Sequence, residues 1–137
     1  MAPVIWQPDR TVAPPPWPVP PLFTALGRGV RGMCPACGEA RAFGRFLKIV
    51  PVCPACAAPL GSARADDAPP YFTILLVGHI VIPLILLTQN VFTDGELAAI
   101  FLPLTVLLCL AFLQPVKGGV LGVMVTFGMM KKPEPAE

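Results

Sequence analysis

The sequence predicts a mainly α-helical membrane protein, a two-helix transmembrane hairpin preceded by a small four-cysteine module. Three observations predict it. Four of the five cysteines stand as two identical tetrapeptides, Cys34-Pro-Ala-Cys37 and Cys53-Pro-Ala-Cys56. Hydrophobic residues make up 55% of the 137 and charged residues only 13%, too oily a balance for a solvated domain. Finally, Tyr71 to Leu87 and Leu97 to Val116 contain no acid, lysine or arginine. Each run approaches the ~20 residues with which a helix crosses ~30 Å of hydrocarbon.

Residues 1–30 open the chain, and the eight prolines before residue 26 argue against a continuous helix or a central strand there. A disordered or polyproline II tail is expected. Docking of Trp6 or Trp17 into a partner's aromatic-lined groove is the alternative to a solvated tail.

Residues 31–65 form the metal module. A Cys-x-x-Cys turn places two thiolates on one edge of a tight loop, and two such turns supply the tetrahedral S4 set that zinc prefers. So small a module cannot bury a self-sufficient core, so metal is expected to supply the deficit and the module to fold separately from the hairpin. Gly38 suits the left-handed turn after Cys37, whereas Ala57 occupies the matching place after Cys56 and makes a less ideal knuckle. Between the pairs, Phe43, Phe46, Leu47 and Val50 recur at helical spacing with Arg41, Arg45 and Lys48 opposite. That pattern predicts a short amphipathic segment, lying on the inner leaflet or merely covering the metal site. Gly44 and Pro51 weaken it as a helix.

Residues 66–117 hold the hairpin, with spans at about 70–88 and 97–116. The connector, Thr88 to Glu96, is short, which forces the spans antiparallel. Seven basic residues precede the first span, three follow the second, and none lies in the connector. By the positive-inside rule both termini are cytoplasmic. The cysteines then lie in a reducing compartment, where such a duplicate serves metal rather than disulfides, giving a cytoplasmic zinc-knuckle module. Residues 1–30 contain no uninterrupted apolar core of a cleavable signal peptide. Asp66 and Asp67 before the first span and Lys117 after the second fall at one membrane level. An ion pair among them is expected, or a contact of the lysine with lipid phosphate.

Residues 118–132 are apolar but too short for a comfortable third span, so an interfacial or re-entrant segment is expected, followed by a disordered tail over 133–137. His79, the single histidine, falls near the middle of the first span, where an ionisable group is costly. Pro83 frees the carbonyl of residue 79 as well. A neutral imidazole bonded to Thr105 or to a carbonyl is one reading; haem or copper ligation, with Cys109 as a second ligand, is the other.

Nowhere do a nucleophile, a base and an orienting acid stand together, no glycine-rich phosphate loop is present, and a closed S4 site leaves zinc no open position for water. An enzyme is not expected. Nor is a nucleic-acid binder, because the positive charges are dispersed rather than gathered into a patch. Oligomeric state has no signal in the sequence.

Cys-Pro-x-Cys-Gly, Phe-Gly-Arg-Phe-Leu-Lys, the second Cys-x-x-Cys, Ala-Asp-Asp-Ala-Pro-Pro-Tyr-Phe, Gly78-His79 and Pro115-Val-Lys117-Gly118 follow one another in an order that resembles the bacterial DUF983 family of small membrane proteins. The resemblance covers about residues 31–122. It implies a multi-pass protein of the bacterial inner membrane. Through the frequent neighbourhood of the family's genes with cytochrome c oxidase subunits and assembly factors, it also implies a supporting role in the assembly or stability of a respiratory complex. The lipid bilayer and a protein of such a complex are the expected partners, with zinc rather than iron at Cys34, Cys37, Cys53 and Cys56. A metal or redox relay on the same four cysteines is the alternative.

Overall fold

The structure, a computed structural model, describes residues 15–63 and 68–130. Asp66, Asp67 and the tail 133–137 lie outside the described residues, so the expected rim pairing of the two acids with Lys117 does too.

Among the described residues three helices carry the fold: α1 (Leu22–Val30), α2 (Ala68–Thr88) and α3 (Asp94–Thr126). Between α1 and α2 lie two short strands, β1 (Phe43–Arg45) and β2 (Lys48–Ile49), and a 3-10 turn over Leu60–Ser62. α2 and α3 are long and apolar enough to cross a membrane. Of their most apolar 18-residue windows only 17% and 6% is buried inside the protein, the reverse of a soluble core helix. Leu75, Ile82, Leu87, Leu102 and Leu107 stand exposed along them, as the hydrocarbon of a bilayer would require.

α1 corrects the expectation of a disordered tail through residue 30. Every one of the early prolines precedes Leu22, and Pro21 serves as the helix N-cap, its carbonyl accepting from the Ala25 amide at 3.0 Å. Gly32, at φ 76°, ends the helix: its amide bonds the Gly29 carbonyl at 2.9 Å and the Met33 amide bonds Arg28 at 3.0 Å. This paired closure satisfies the last carbonyls and needs a left-handed residue after the cap. Trp17 packs against the core, so its hydrophobic ring is used within the chain.

A second correction concerns the segment between the knuckles, which is a hairpin and not an amphipathic helix. β1 and β2 pair antiparallel, Phe43 opposite Ile49 and Arg45 opposite Lys48, with an irregularity in β1 at Gly44. The Val50 amide extends the pairing to the Ala42 carbonyl at 2.9 Å. Gly44 and Pro51 disfavour the helix, and the chain must double back within 15 residues to bring the second knuckle beside the first. Phe43 alone of the four apolar residues turns fully inward, while Phe46 is exposed at the hairpin tip.

The third correction is α3 itself. It does not stop at residue 116 but runs unbroken through Pro115 to Thr126, so no separate interfacial segment begins at 118. At 1.5 Å per residue its 33 residues measure about 50 Å, well beyond the ~30 Å of hydrocarbon. The surplus packs on the cysteine module. Leu121 and Val125 share one buried cluster with Cys34, Ala36, Ala42, Phe43, Cys53, Ala58, Leu60 and Ala63. The buried core of the module is therefore not closed within residues 31–65: the last third of α3 completes it.

Candidate metal centre

Each knuckle is a tight turn closed on its first cysteine. The Gly38 amide bonds the Cys34 carbonyl at 2.8 Å, and the Ala57 amide bonds the Cys53 carbonyl at 2.9 Å. The chain then folds back: the Cys34 amide reaches the Ala40 carbonyl at 2.7 Å and the Cys53 amide the Ala58 carbonyl at 3.0 Å. Two turns of one design thus face each other. Cys34 Sγ lies 3.8 Å from Cys56 Sγ, and Cys37 Sγ lies 3.8 Å from Cys53 Sγ. All four sulfurs fall within 4.8 Å of one another.

That set fits a metal. A tetrahedron with metal–sulfur bonds of about 2.3 Å has sulfur–sulfur edges of about 3.8 Å. It is also too open for disulfides, whose sulfurs stand about 2.05 Å apart. Backbone amides complete the shell: those of Cys37 and Ala36 point at the Cys34 sulfur, those of Glu39 and Ala40 at Cys37, and that of Ala58 at Cys56. Such donors stabilise thiolates and orient them.

Protonation follows burial. Cys34 is fully buried and its thiol is pushed up to about 12 by desolvation. Burial pushes Cys56 up as well. Cys37 is half-buried; burial raises it, but the amides of Glu39 and Ala40 and the Cys53 and Cys34 thiols together outweigh that and hold it at about 7. At neutral pH an incoming metal must therefore displace a proton from Cys34, and acid favours the protonated, metal-free side. Apparent zinc affinity should fall as pH falls, by up to about tenfold per unit for each proton displaced. A zinc titration at pH 6, 7 and 8 against a chelator of known affinity checks this; a flat profile would contradict it.

Gly38 sits at φ 74°, as its turn requires, while Ala57 at the matching position holds φ 60°. A left-handed non-glycine residue costs about 1–2 kcal/mol. Ala57→Gly should therefore stabilise the metal-loaded protein, by about 1 kcal/mol after the added freedom of the unfolded chain is subtracted. Thermal melts of parent and variant with one equivalent of zinc measure it, and an unchanged or lowered midpoint would contradict the strain.

Of the other sequence-predicted residues, His79 is exposed on α2, and its Nδ1 donates to the Leu75 carbonyl at 2.7 Å. It does not meet Thr105, whose hydroxyl donates to the Phe101 carbonyl at 2.6 Å. Its hydrogen bond stays within the histidine's own helix. Cys109 is half-buried on α3 and stands apart from the four-sulfur cluster. Lys117 is half-buried on α3, one residue before Gly118. His79, with Leu26, Val30, Phe72, Phe112 and Val123, lines an apolar groove of about 1010 Å³ between the three helices.

Sequence reasoning missed the contact that joins α1 to α3. Gly29 and Gly118 meet backbone to backbone, so that a Cβ on either would overlap the other's carbonyl. One turn along, a methyl carbon on Gly122 would stand 2.6 Å from the Ala25 carbonyl oxygen. The signal was there as paired small-x-x-x-small spacings, Ala25 with Gly29 and Gly118 with Gly122, which let helices approach closely. Arg28 was missed as well. Its Nη1 donates to the Ala36 carbonyl at 2.9 Å, laying the guanidinium across the first knuckle.

A family model described as a protein of unknown function (DUF983) matches residues 43–125, from the first strand to the end of the third helix. It takes in Cys53 and Cys56, whereas Cys34 and Cys37 lie ahead of it. No curated protein and no solved structure matches the chain. With more than half of its length matched, the chain belongs to the DUF983 family.

Proposed function

We infer that this is a non-catalytic membrane accessory protein whose four cysteines hold one structural zinc ion. The observation that carries the reading is the sulfur geometry, 3.8 Å across both inter-knuckle pairs on a core shared with α3. Zinc is favoured over iron because the knuckles are compact, separated by 15 residues, and closed around all four ligands. When bound, the ion supplies charge and cross-linking, and the chain's own groups do the rest. The amides of Ala36, Cys37, Glu39, Ala40 and Ala58 hold the sulfurs, and Leu60, Leu121 and Val125 exclude water beneath them. Among the described residues the cluster gathers four cysteines and no acid or histidine, which supports a binding role rather than catalysis. The dispersed positive charge supports no nucleic-acid partner.

The finer reading is support for the assembly or stability of a respiratory complex such as cytochrome c oxidase at the bacterial inner membrane. It rests on the family resemblance. Affinity purification from native membranes tests it: subunits or assembly factors of a terminal oxidase should copurify with the parent and be lost from a Cys34→Ser, Cys53→Ser variant. Copurification of unrelated proteins alone would contradict it. An iron relay on the same cysteines would show visible absorption when oxidised, whereas a zinc protein is colourless.

Charge supports an orientation with both ends cytoplasmic, since the turn between α2 and α3 carries no base and the first turn of α3 carries the acids Asp94 and Glu96. A cysteine placed at Asn90, exposed between the two helices, should react in intact cells with a membrane-impermeant thiol reagent that reaches only the periplasm. Labelling confined to lysed cells would reverse the orientation.

A further inference from the structure

One short helix joins the cysteine cluster to the membrane helices. Arg28, in the last turn of α1, donates to the Ala36 carbonyl between Cys34 and Cys37. The same guanidinium lies so close to the first knuckle that a methyl carbon on Gly38 would stand 2.7 Å from its Nε. The next residue, Gly29, is pressed against the backbone of Gly118 on α3. Leu26 and Val30 of the same helix wall one side of the apolar groove that His79 lines from α2. After α1 the chain turns at Gly32 and enters the first knuckle at Cys34.

α1 has nine residues, and a helix that short does not hold together in water by itself. Its position is set by the knuckle at one contact and by the glycines of α3 at the other. The core beneath mixes the two, with Cys34 and Cys53 packed in one cluster with Leu121 and Val125.

We propose that α1 is a metal-dependent latch: metal in the four-cysteine cluster holds it against Gly118 and Gly122, and loss of the metal releases it and removes the Leu26 and Val30 wall of the groove. The latch rests on the reading that the cluster binds metal. It has a reciprocal consequence, because coupling between two equilibria acts equally in both directions. If bound metal favours docked α1, docked α1 favours bound metal by the same factor. A substitution on α3 must then weaken metal binding at cysteines carried by another part of the chain. A module that folded independently of α3 would show no such effect.

The experiment uses the full chain in nanodiscs, with zinc affinity read against a chromophoric chelator. Gly118→Leu should lower the affinity by about five- to hundredfold, the usual range of such coupling. Gly78→Leu, at a site on α2 where the nearest atom to an added Cβ is 4.0 Å away, should leave it unchanged. Removing zinc from the parent should speed amide exchange in residues 22–30 and 118–126 and leave residues 97–110 protected. If Gly118→Leu does not accumulate, Gly122→Ala makes the same test with a smaller displacement. An affinity within twofold of the parent, in a variant whose α1 amides have lost protection, would overturn the latch while leaving the metal reading standing. A parent chain that binds no zinc would overturn both.

Discussion

A Cys34→Ser, Cys53→Ser protein should carry almost no zinc and should lose amide protection over residues 15–63, while 68–88 and 94–112 remain helical in the membrane. The two sulfurs removed are the buried pair, one from each knuckle, and each is 3.8 Å from the remaining cysteine of the other knuckle. No two-sulfur remnant offers the closed tetrahedral set that zinc favours. The loss is large because a structural zinc contributes on the order of 10 kcal/mol to folding of a module this size. What remains without it is a two-strand hairpin, a 3-10 turn and a few buried side chains, below what a core of this length sustains. Hydrogen exchange measured on parent and variant in the same nanodiscs separates the two regions. Full protection of residues 43–63 in the variant would show that packing on α3 suffices without metal.

Gly29→Val should be among the most damaging single changes outside the cysteines. Its Cβ would overlap the Gly118 carbonyl, which belongs to backbone and cannot swing aside as a side chain can. The two helices must separate by about an ångström or more to reach ordinary contact, breaking the approach of Ala25 and Gly122 as well. Overpacking against a rigid partner costs about 3 kcal/mol, a large share of the stability of a small domain. Reduced protein in the membrane and faster trypsin cleavage at Arg28 and Arg31 should follow. Gly27→Val is the control, because nothing lies within 4 Å of a Cβ at that position. Equal behaviour of the two variants would show that the close approach of α1 and α3 carries no weight.

The parts of the structure that were legible in sequence are those set by local chemistry. Two Cys-Pro-Ala-Cys turns specify their own geometry, and Gly38 announced its left-handed turn. Long runs without charge announced α2 and α3. The strained Ala57 was legible too, as the residue standing where its sister knuckle has glycine. What sequence did not reveal depends on partners distant in the chain. Phe43, Phe46, Leu47 and Val50 fit helical spacing, yet the return path between two knuckles overrode that period. Gly118 to Met130 looks too short to span when the charge-free run is taken to end at Val116, but neither Pro115 nor Lys117 ends the helix: α3 continues past them, and the part beyond packs against the cysteine module. α1 hid behind eight prolines, and its docking glycines make sense only once Gly118 and Gly122 are known to face them.

The central claim is that the four cysteines hold one zinc, and elemental analysis of the full chain purified without added metal tests it most directly. The sulfur geometry predicts about one zinc per chain, a colourless solution, and release of that zinc together with four reactive thiols when the cluster is opened by a mercurial reagent. Metal-free protein that takes up no zinc when supplied, or stoichiometric iron with visible absorption, would contradict it.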